Sequence, residues 1–542
     1  MQTITANYID ILNREIFPAR IVVENGKIAS IERTEDVVSD YILPGFVDAH
    51  VHIESSMLVP TEFAKKAVVH GTVATVSDPH EIGNVLGKEG VYYMLENAGK
   101  SPLKFNFGAP SCVPATGFET AGAEITVEDI DELMQLDEIK YLAEMMNYPG
   151  VLFQDKLVMD KISVAVKYHK PVDGHAPGLT GEEALQYIAA GISTDHECFT
   201  YEEGLFKLQQ GMKVLIREGS AAKNFDALID LLREYPDDIM FCSDDKHPDD
   251  LMAGHINLLV KRALQKGNDL FQVLQAACIN PVLHYKLDVG LIRSGDAADF
   301  ILINNLDDFE IRETHIDGIC VAKNGVTCLE TIPEKIVNNF SIGNKQPSDF
   351  LLKVSNEKVK VIEVLDGQLI TSTYIGTVQT NKEGYAFSAL EEDILKIAVV
   401  NRYQDAPVAV AFIKNFGLKK GALASSVAHD SHNIIVVGVD EESMSIAANA
   451  VIAESGGLSV TDGVQTRILP LPVAGLMSTD SCEVVAEKYT DLLEMARQSG
   501  CTLHSPFMSM SFMALLVIPQ LKLSDKGLFD AEKFRFCGLE VN

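Results

Sequence analysis

Residues 43–52 read Leu43-Pro44-Gly45-Phe46-Val47-Asp48-Ala49-His50-Val51-His52. The apolar start at Phe46 predicts a short strand that ends in His50-Val51-His52. Side chains alternate along a strand, so both imidazoles leave on the same side, as metal ligands would. Two histidines on one strand face can also be simply buried and hydrogen-bonded, so the pair gains meaning only from what the other strands carry.

Outward from this stretch, short β runs alternate with segments long enough for a helix and two loops. The runs are Phe46 to His50, Thr72 to Val76, Phe105 to Ala109, Tyr141 to Glu144, Pro171 to His175, Ile192 to His196, Val214 to Arg217 and Ile239 to Ser243. That rhythm is the one of parallel βαβ units, and eight of them predict a closed (β/α)8 barrel over 44–289, with an open doubly wound sheet as the alternative. An intervening helix is expected at Pro60 to His70, with proline early and Gly71 as its stop. Before the barrel, Ile21-Val22-Val23 runs through Asn25-Gly26 into Ile28 to Ile31, and Asn-Gly supplies the two positive φ angles of a tight hairpin. The same grammar returns at Ile319 to Ala322 and Asn324-Gly325, after an apolar strand at Phe300 to Ile303. The expectation is one small composite β domain built from 1–43 and 290–343. The remaining 344–542 mixes β runs (Val408 to Ile413, Asn433 to Val439) with helices (Asp440 to Ser455, Cys482 to Ser499) and is read as a C-terminal α/β domain. The fold class is thus α/β: a metal-dependent hydrolase barrel flanked by two smaller domains.

Composition narrows the function. A chain of 542 residues with 47% apolar content can bury a large core in about three domains. Its formal charge of −32 repels phosphate backbones and anionic lipid, so no nucleic acid and no membrane partner is expected. The first residues lack a signal-peptide apolar run, and the richest apolar stretch, near Phe512 to Pro519, is far shorter than the ~20 residues that span a bilayer. Nine scattered cysteines without a C-x-x-C pair fit reduced thiols, and the expected location is cytoplasmic.

The chemistry lies at the strand ends. The fourth run ends in Glu144, the fifth in His175 and the sixth in His196, and the eighth is followed by Asp244. Barrel active sites occupy the C-terminal ends of the strands, so these four converge with His50 and His52 at one mouth. Four imidazoles and two carboxylates suit two divalent ions, with a carboxylate as bridge, better than one. Nitrogen and oxygen donors without thiolate fit manganese, iron or zinc.

At this point the chain resembles the amidohydrolase superfamily and, more closely, the bacterial adenine deaminase family. The resemblance rests on residues 43–52, on Gly295-Asp296-Ala297-Ala298-Asp299-Phe300 as the return into the β domain, and on Ile53-Glu54-Ser55-Ser56-Met57, Asp78-Pro79-His80-Glu81 and His429-Asp430-Ser431-His432-Asn433. It implies His50, His52, His175, His196 and Asp244 as metal ligands, and Glu144 where many relatives carry a bridging carboxylated lysine. It further implies two divalent ions, manganese or iron favoured and zinc possible, and hydrolysis of adenine to hypoxanthine and ammonia by a hydroxide attacking C6. Asp244 would move the proton of the attacking water, and Glu81 is the first candidate for the acid that protonates a ring nitrogen. Glu54 and His80 are placed for hydrogen bonds to the base. Arg217 is expected either to bind substrate or to pair with an acid such as Glu218 or Asp245. His429 and His432, in a loop entering the strand Asn433 to Val439, are expected to cover the mouth and help position the purine. The expected partner is a small purine base, in a homo-oligomer such as a dimer. Competing readings are another amidohydrolase acting on a cyclic amide or a different aminated base, and a noncatalytic scaffold, which would have no use for six ligands.

Overall fold

The computed structural model describes residues 1–541. Eight parallel strands line its centre: β1 (Phe46–Val51), β2 (Thr72–Ser77), β3 (Lys104–Ala109), β4 (Ile139–Met145), β5 (Val172–Gly174), β6 (Thr194–Asp195), β7 (Lys213–Arg217) and β8 (Ile239–Cys242). Hydrogen bonds join β1 through β5 as one run and β6 through β8 as another. Two isolated parallel bridges, Val172 to Ile192 and Val51 to Asp244, link the runs at both seams. The sheet therefore closes, and the open doubly wound alternative is excluded. At the second seam the Asp244 amide donates to the His50 carbonyl (2.9 Å) and the His52 amide to the Asp244 carbonyl (3.4 Å). The backbone of the expected metal ligands thus supplies the last rungs of the barrel. β1 and β2 are buried along their whole length, polar side chains such as Asp48, His50 and Thr75 included.

β5 and β6 are shorter than the sequence pattern suggests, three and two residues. They approach each other closely where they do pair: a Cβ on Gly174 would lie 2.3 Å from the Thr194 carbonyl oxygen, so only glycine fits. The expected helix begins at Pro60 but is α-helical only to Ala67, and a 3-10 turn, Val68–His70, completes it before Gly71.

One eight-stranded sheet takes strands from both sides of the barrel. Its order is Val326–Thr327, Ile319–Lys323, Ile311–Ile316, Phe300–Ile303, Tyr41–Pro44, Gln2–Asp10, Glu15–Glu24 and Lys27–Arg33. Tyr41–Pro44 and Phe300–Ile303 pair antiparallel and stitch the two halves together. Asn25 and Gly26 turn the hairpin with φ of 51° and 77°, the left-handed pair such a turn needs. The C-terminal region holds a second eight-stranded sheet covered by the helices Glu441–Ala453 and Cys482–Gln498. It docks on the loop after β3, where Asn433 Nδ2 donates to the Thr120 carbonyl and the Thr120 amide donates to Asp525. That docking carries residues 428–433, Leu369 and the end of helix Pro506–Phe512 over the barrel mouth. Among the described residues no helix is long and apolar enough to cross a membrane.

Candidate active site

The ends of the strands position the donors through a buried framework. Asp48, fully buried on β1, accepts from the His50 and Ser243 amides and meets His255 Nε2 at 2.7 Å, so one carboxylate ties β1 to the turn after β8. His52 Nδ1 lies 3.2 Å from the Asp78 carbonyl, which only accepts, so Nδ1 carries a proton and Nε2 is the atom turned to the cluster. His50 Nε2 faces that atom at 3.1 Å, and Asp244 Oδ1 stands 3.6 and 3.2 Å from the two nitrogens. Glu144 divides its oxygens. Oε1 lies 3.5 Å from His52 Nε2, whereas Oε2 lies 2.7 Å from His175 Nδ1 and 3.2 Å from His196 Nε2.

All six residues expected as ligands thus meet in one buried cluster. Ligand atoms of His50, His196 and Asp244 lie within 4.8 Å of one another, and so do those of Glu144, His175 and His196. Buried His175 Nε2 and His50 Nδ1 have no hydrogen-bond partner. Imidazole and carboxylate donors in two overlapping groups, with His196 common to both, fit divalent cations. Asp78 and His80 join His52 and Glu144 in a further such group.

Charge in the cluster is unevenly held. Burial pushes the Asp244 carboxyl up, but Arg217, whose Nη1 is 2.5 Å from Oδ2, and the neighbouring imidazoles hold it well below the usual carboxylate range. Burial opposes a charged His52, and Asp244, Asp245 and Glu144 outweigh it, raising that imidazole well above its ordinary value. Arg217 forks between Asp244 and Glu197. The partners expected for it, Glu218 and Asp245, are engaged elsewhere: Glu218 pairs with Arg262 at 2.9 Å and Asp245 accepts from Ser55. Glu218 follows Arg217 directly and alternation turns it away, whereas Glu197 stands at the end of the neighbouring strand.

Glu81 sits in the first turn of helix His80–Leu86, yet its carboxylate does not serve the helix amides. Oε1 lies 2.6 Å from His429 Nδ1, and Oε2 contacts His432 Nε2. The Ala428 amide donates to His432 Nδ1 (3.2 Å), so the His432 proton is on Nε2, aimed at Glu81. Burial brings His432 down to about 4 and keeps it neutral. His429 is opposed by burial but lifted to about 9 by the Glu81 carboxylate. Glu81 is thereby held well below the usual carboxylate range, against the effect of burial. His80 stands between this group and the donor cluster, with Nε2 3.5 Å from Glu81 and Nδ1 3.5 Å from Glu144.

A small cavity opens on the cluster. His80, Glu81, Arg217 and His429 line it, together with Asp430, Leu369, Phe512 and Leu515 from the C-terminal region. Two residues expected at the substrate stand behind the wall. His432 is fully buried against Glu81, and Glu54 Oε1 accepts from the Ile82 amide at 3.2 Å, its carboxyl raised to about 7 by burial. Sequence reasoning passed over Asp78, Glu197 and Asp430 as site residues. The Asp78-Pro79-His80-Glu81 run held a signal for the first; the other two depend on contacts made across the fold.

A closed parallel barrel with six converging nitrogen and oxygen donors defines a metal-dependent hydrolase. A family model described as "Amidohydrolase family" matches residues 41–321, and one described as "Adenine deaminase C-terminal domain" matches 368–535. The chain is 54% identical over 532 residues to an adenine deaminase of Sulfurovum sp. (strain NBC37-1), covering 98% of each chain. It is 52% identical over 536 residues to the adenine deaminase of Salinibacter ruber and 51% identical over 544 residues to that of Methanosarcina mazei, again at 98% of each chain. The chain belongs to the amidohydrolase family, in its adenine deaminase branch.

Proposed function

We propose that the protein hydrolyses adenine to hypoxanthine and ammonia, with His50, His52, Glu144, His175, His196 and Asp244 holding two divalent ions, manganese or iron in preference to zinc. The observation that carries the binuclear reading is the division of Glu144, one oxygen toward His52 and the other toward His175 and His196. When bound, such ions supply the Lewis acidity that makes a water nucleophilic at neutral pH. Asp244, kept ionised by Arg217, accepts the proton of that water and returns one to the departing amine. The C6–O bond forms first, with the C6–N bond still intact, and the C6–N bond then breaks as the amine, protonated from Asp244, departs as ammonia. Electron density gathers on the purine ring as C6 becomes tetrahedral, and a ring nitrogen takes a proton there. Glu81, whose Oε1 takes up the proton that His429 Nδ1 carries toward it, is the group that passes it on. His80 and Asp430 line the remaining polar edge and hold the base in register.

The test is metal analysis of protein purified without chelators, combined with ammonia release from adenine and adenosine. Two ions per chain and turnover of adenine with little of adenosine are expected. Full activity with one ion per chain overturns the binuclear assignment, and comparable turnover of adenosine overturns the substrate.

A further inference from the structure

The cavity has two unlike halves. The barrel mouth, joined by His429 and Asp430 of the C-terminal region, provides imidazoles and carboxylates, and Leu369, Phe512 and Leu515 of the C-terminal region provide an apolar roof, each at most 7% exposed. These three come from two separate segments, and a single buried side chain ties the segments together. Lys522, fully buried, donates from Nζ to the carbonyls of Leu369 and Phe512, both at 2.9 Å. A second cavity shares Leu369, Met146, His175 and Glu197 with the first and leads outward to Phe199 and Ile370, which are 47% and 39% exposed. Leu369 therefore stands both in the roof and at the inner end of the passage.

We infer that this roof, braced by Lys522, is the element that admits the free base and refuses purines substituted at N9. The inference rests on the adenine reading. C6 must face the donor cluster for hydrolysis, and the N3/N9 edge lies across the bicycle from C6, so that edge meets Leu369, Phe512 and Leu515. A substituent on N9 has to displace close-packed side chains there. A ribose would in addition bury hydroxyls against a wall without polar side chains, at about 1–3 kcal/mol for each one left unpaired. A purine bearing only N–H at that edge meets neither obstacle. Lys522 acts as a positioning residue. Its two hydrogen bonds set the spacing between the Leu369 loop and the end of helix Pro506–Phe512, and so the tightness of the roof.

The probes are 9-methyladenine and 7-methyladenine, which carry the same methyl group at opposite corners of the five-membered ring. Holoenzyme of wild type, Leu369→Ala, Leu515→Ala and Lys522→Met is compared by kcat/KM for each probe relative to adenine, with metal content measured in every sample. One methyl group in a close-fitting pocket discriminates by about 10–200-fold, so wild type should use 9-methyladenine at least about 10-fold less well than adenine. The leucine variants should raise the 9-methyladenine ratio about 10-fold and leave the 7-methyladenine ratio within about twofold. Lys522→Met should shift the same ratio in the same direction, mainly through KM, a change that general loss of folded protein would not produce. Equal gains for both probes, or no gain at N9 while adenine is still turned over, overturn the inference. Failure of wild type to deaminate adenine counts against the proposed function itself.

Discussion

Replacing Lys207 with methionine tests how the barrel presents two of its histidines. Lys207 lies on helix Tyr201–Gln209 and is 1% exposed. Its ammonium donates to Asp195 Oδ2 (2.7 Å), Glu203 Oε1 (2.7 Å) and the Ala176 carbonyl (2.8 Å), so all three of its protons are used. Asp195 precedes His196 and Ala176 follows His175, and the cation therefore ties together the ends of β5 and β6 just where these two histidines leave them. Methionine keeps the length and removes the charge, leaving two buried carboxylates without their counterion. Removing one partner of a buried pair costs about 3–5 kcal/mol, and disturbing groups that orient ligands lowers metal affinity about 10–100-fold. Burial pushes Asp195 up and Lys207 holds it below its ordinary value. A depressed carboxylate stabilises the fold above its unfolded pKa and loses that contribution as pH falls through the folded value. The gap between wild type and variant should thus be full at neutral pH and shrink on acidification. Hydrogen exchange over residues 172–176 and 194–198 measures the local stability, and competition with a chelator measures metal retention. The double variant Lys207→Met/Asp195→Asn should recover part of the loss, because the stranded charge is gone. Unchanged exchange and metal retention within about twofold of wild type would refute the reasoning, as would strictly additive costs in the double variant.

Two further outcomes follow from the cluster. Glu144→Gln should weaken metal retention, since a neutral amide bridges two cations poorly, and metal analysis after dialysis should find clearly fewer than the wild-type number of ions. Retention of both ions as tightly as wild type removes Glu144 from the bridging role. Asp244→Asn should lower kcat on the order of 10²-fold or more with the fold intact, because the amide cannot accept the proton; near-normal kcat would exclude that role, and circular dichroism checks the fold.

Much of the catalytic half of the molecule is legible in the sequence because its determinants are local. Barrel strands read as short runs rich in β-branched residues, as at Thr72–Ser77. The polar side chains that meet in the cluster stand at or next to the ends of such runs, so His50, His52, Glu144, His175, His196 and Asp244 could be picked out by position. Asn25-Gly26 announced a turn because its conformational demand is met by those two residues alone.

The pairings were decided elsewhere. Arg217 reaches Glu197 and Asp244 rather than its neighbour in sequence, because in a parallel barrel the adjacent strand end is closer than the alternating next residue. Lys207 looks like any helix lysine until the fold buries it between two carboxylates. The His429 loop was expected to cover the mouth and help position the purine, and docking of the C-terminal region sets its imidazole against Glu81. The sequence by itself determined the eight strands and the polar residues at their ends, through periodicity and spacing that act over a few residues. Only the tertiary structure decided which distant side chains share a charge and which apolar residues roof the cavity, because such contacts depend on how separately folded segments pack together.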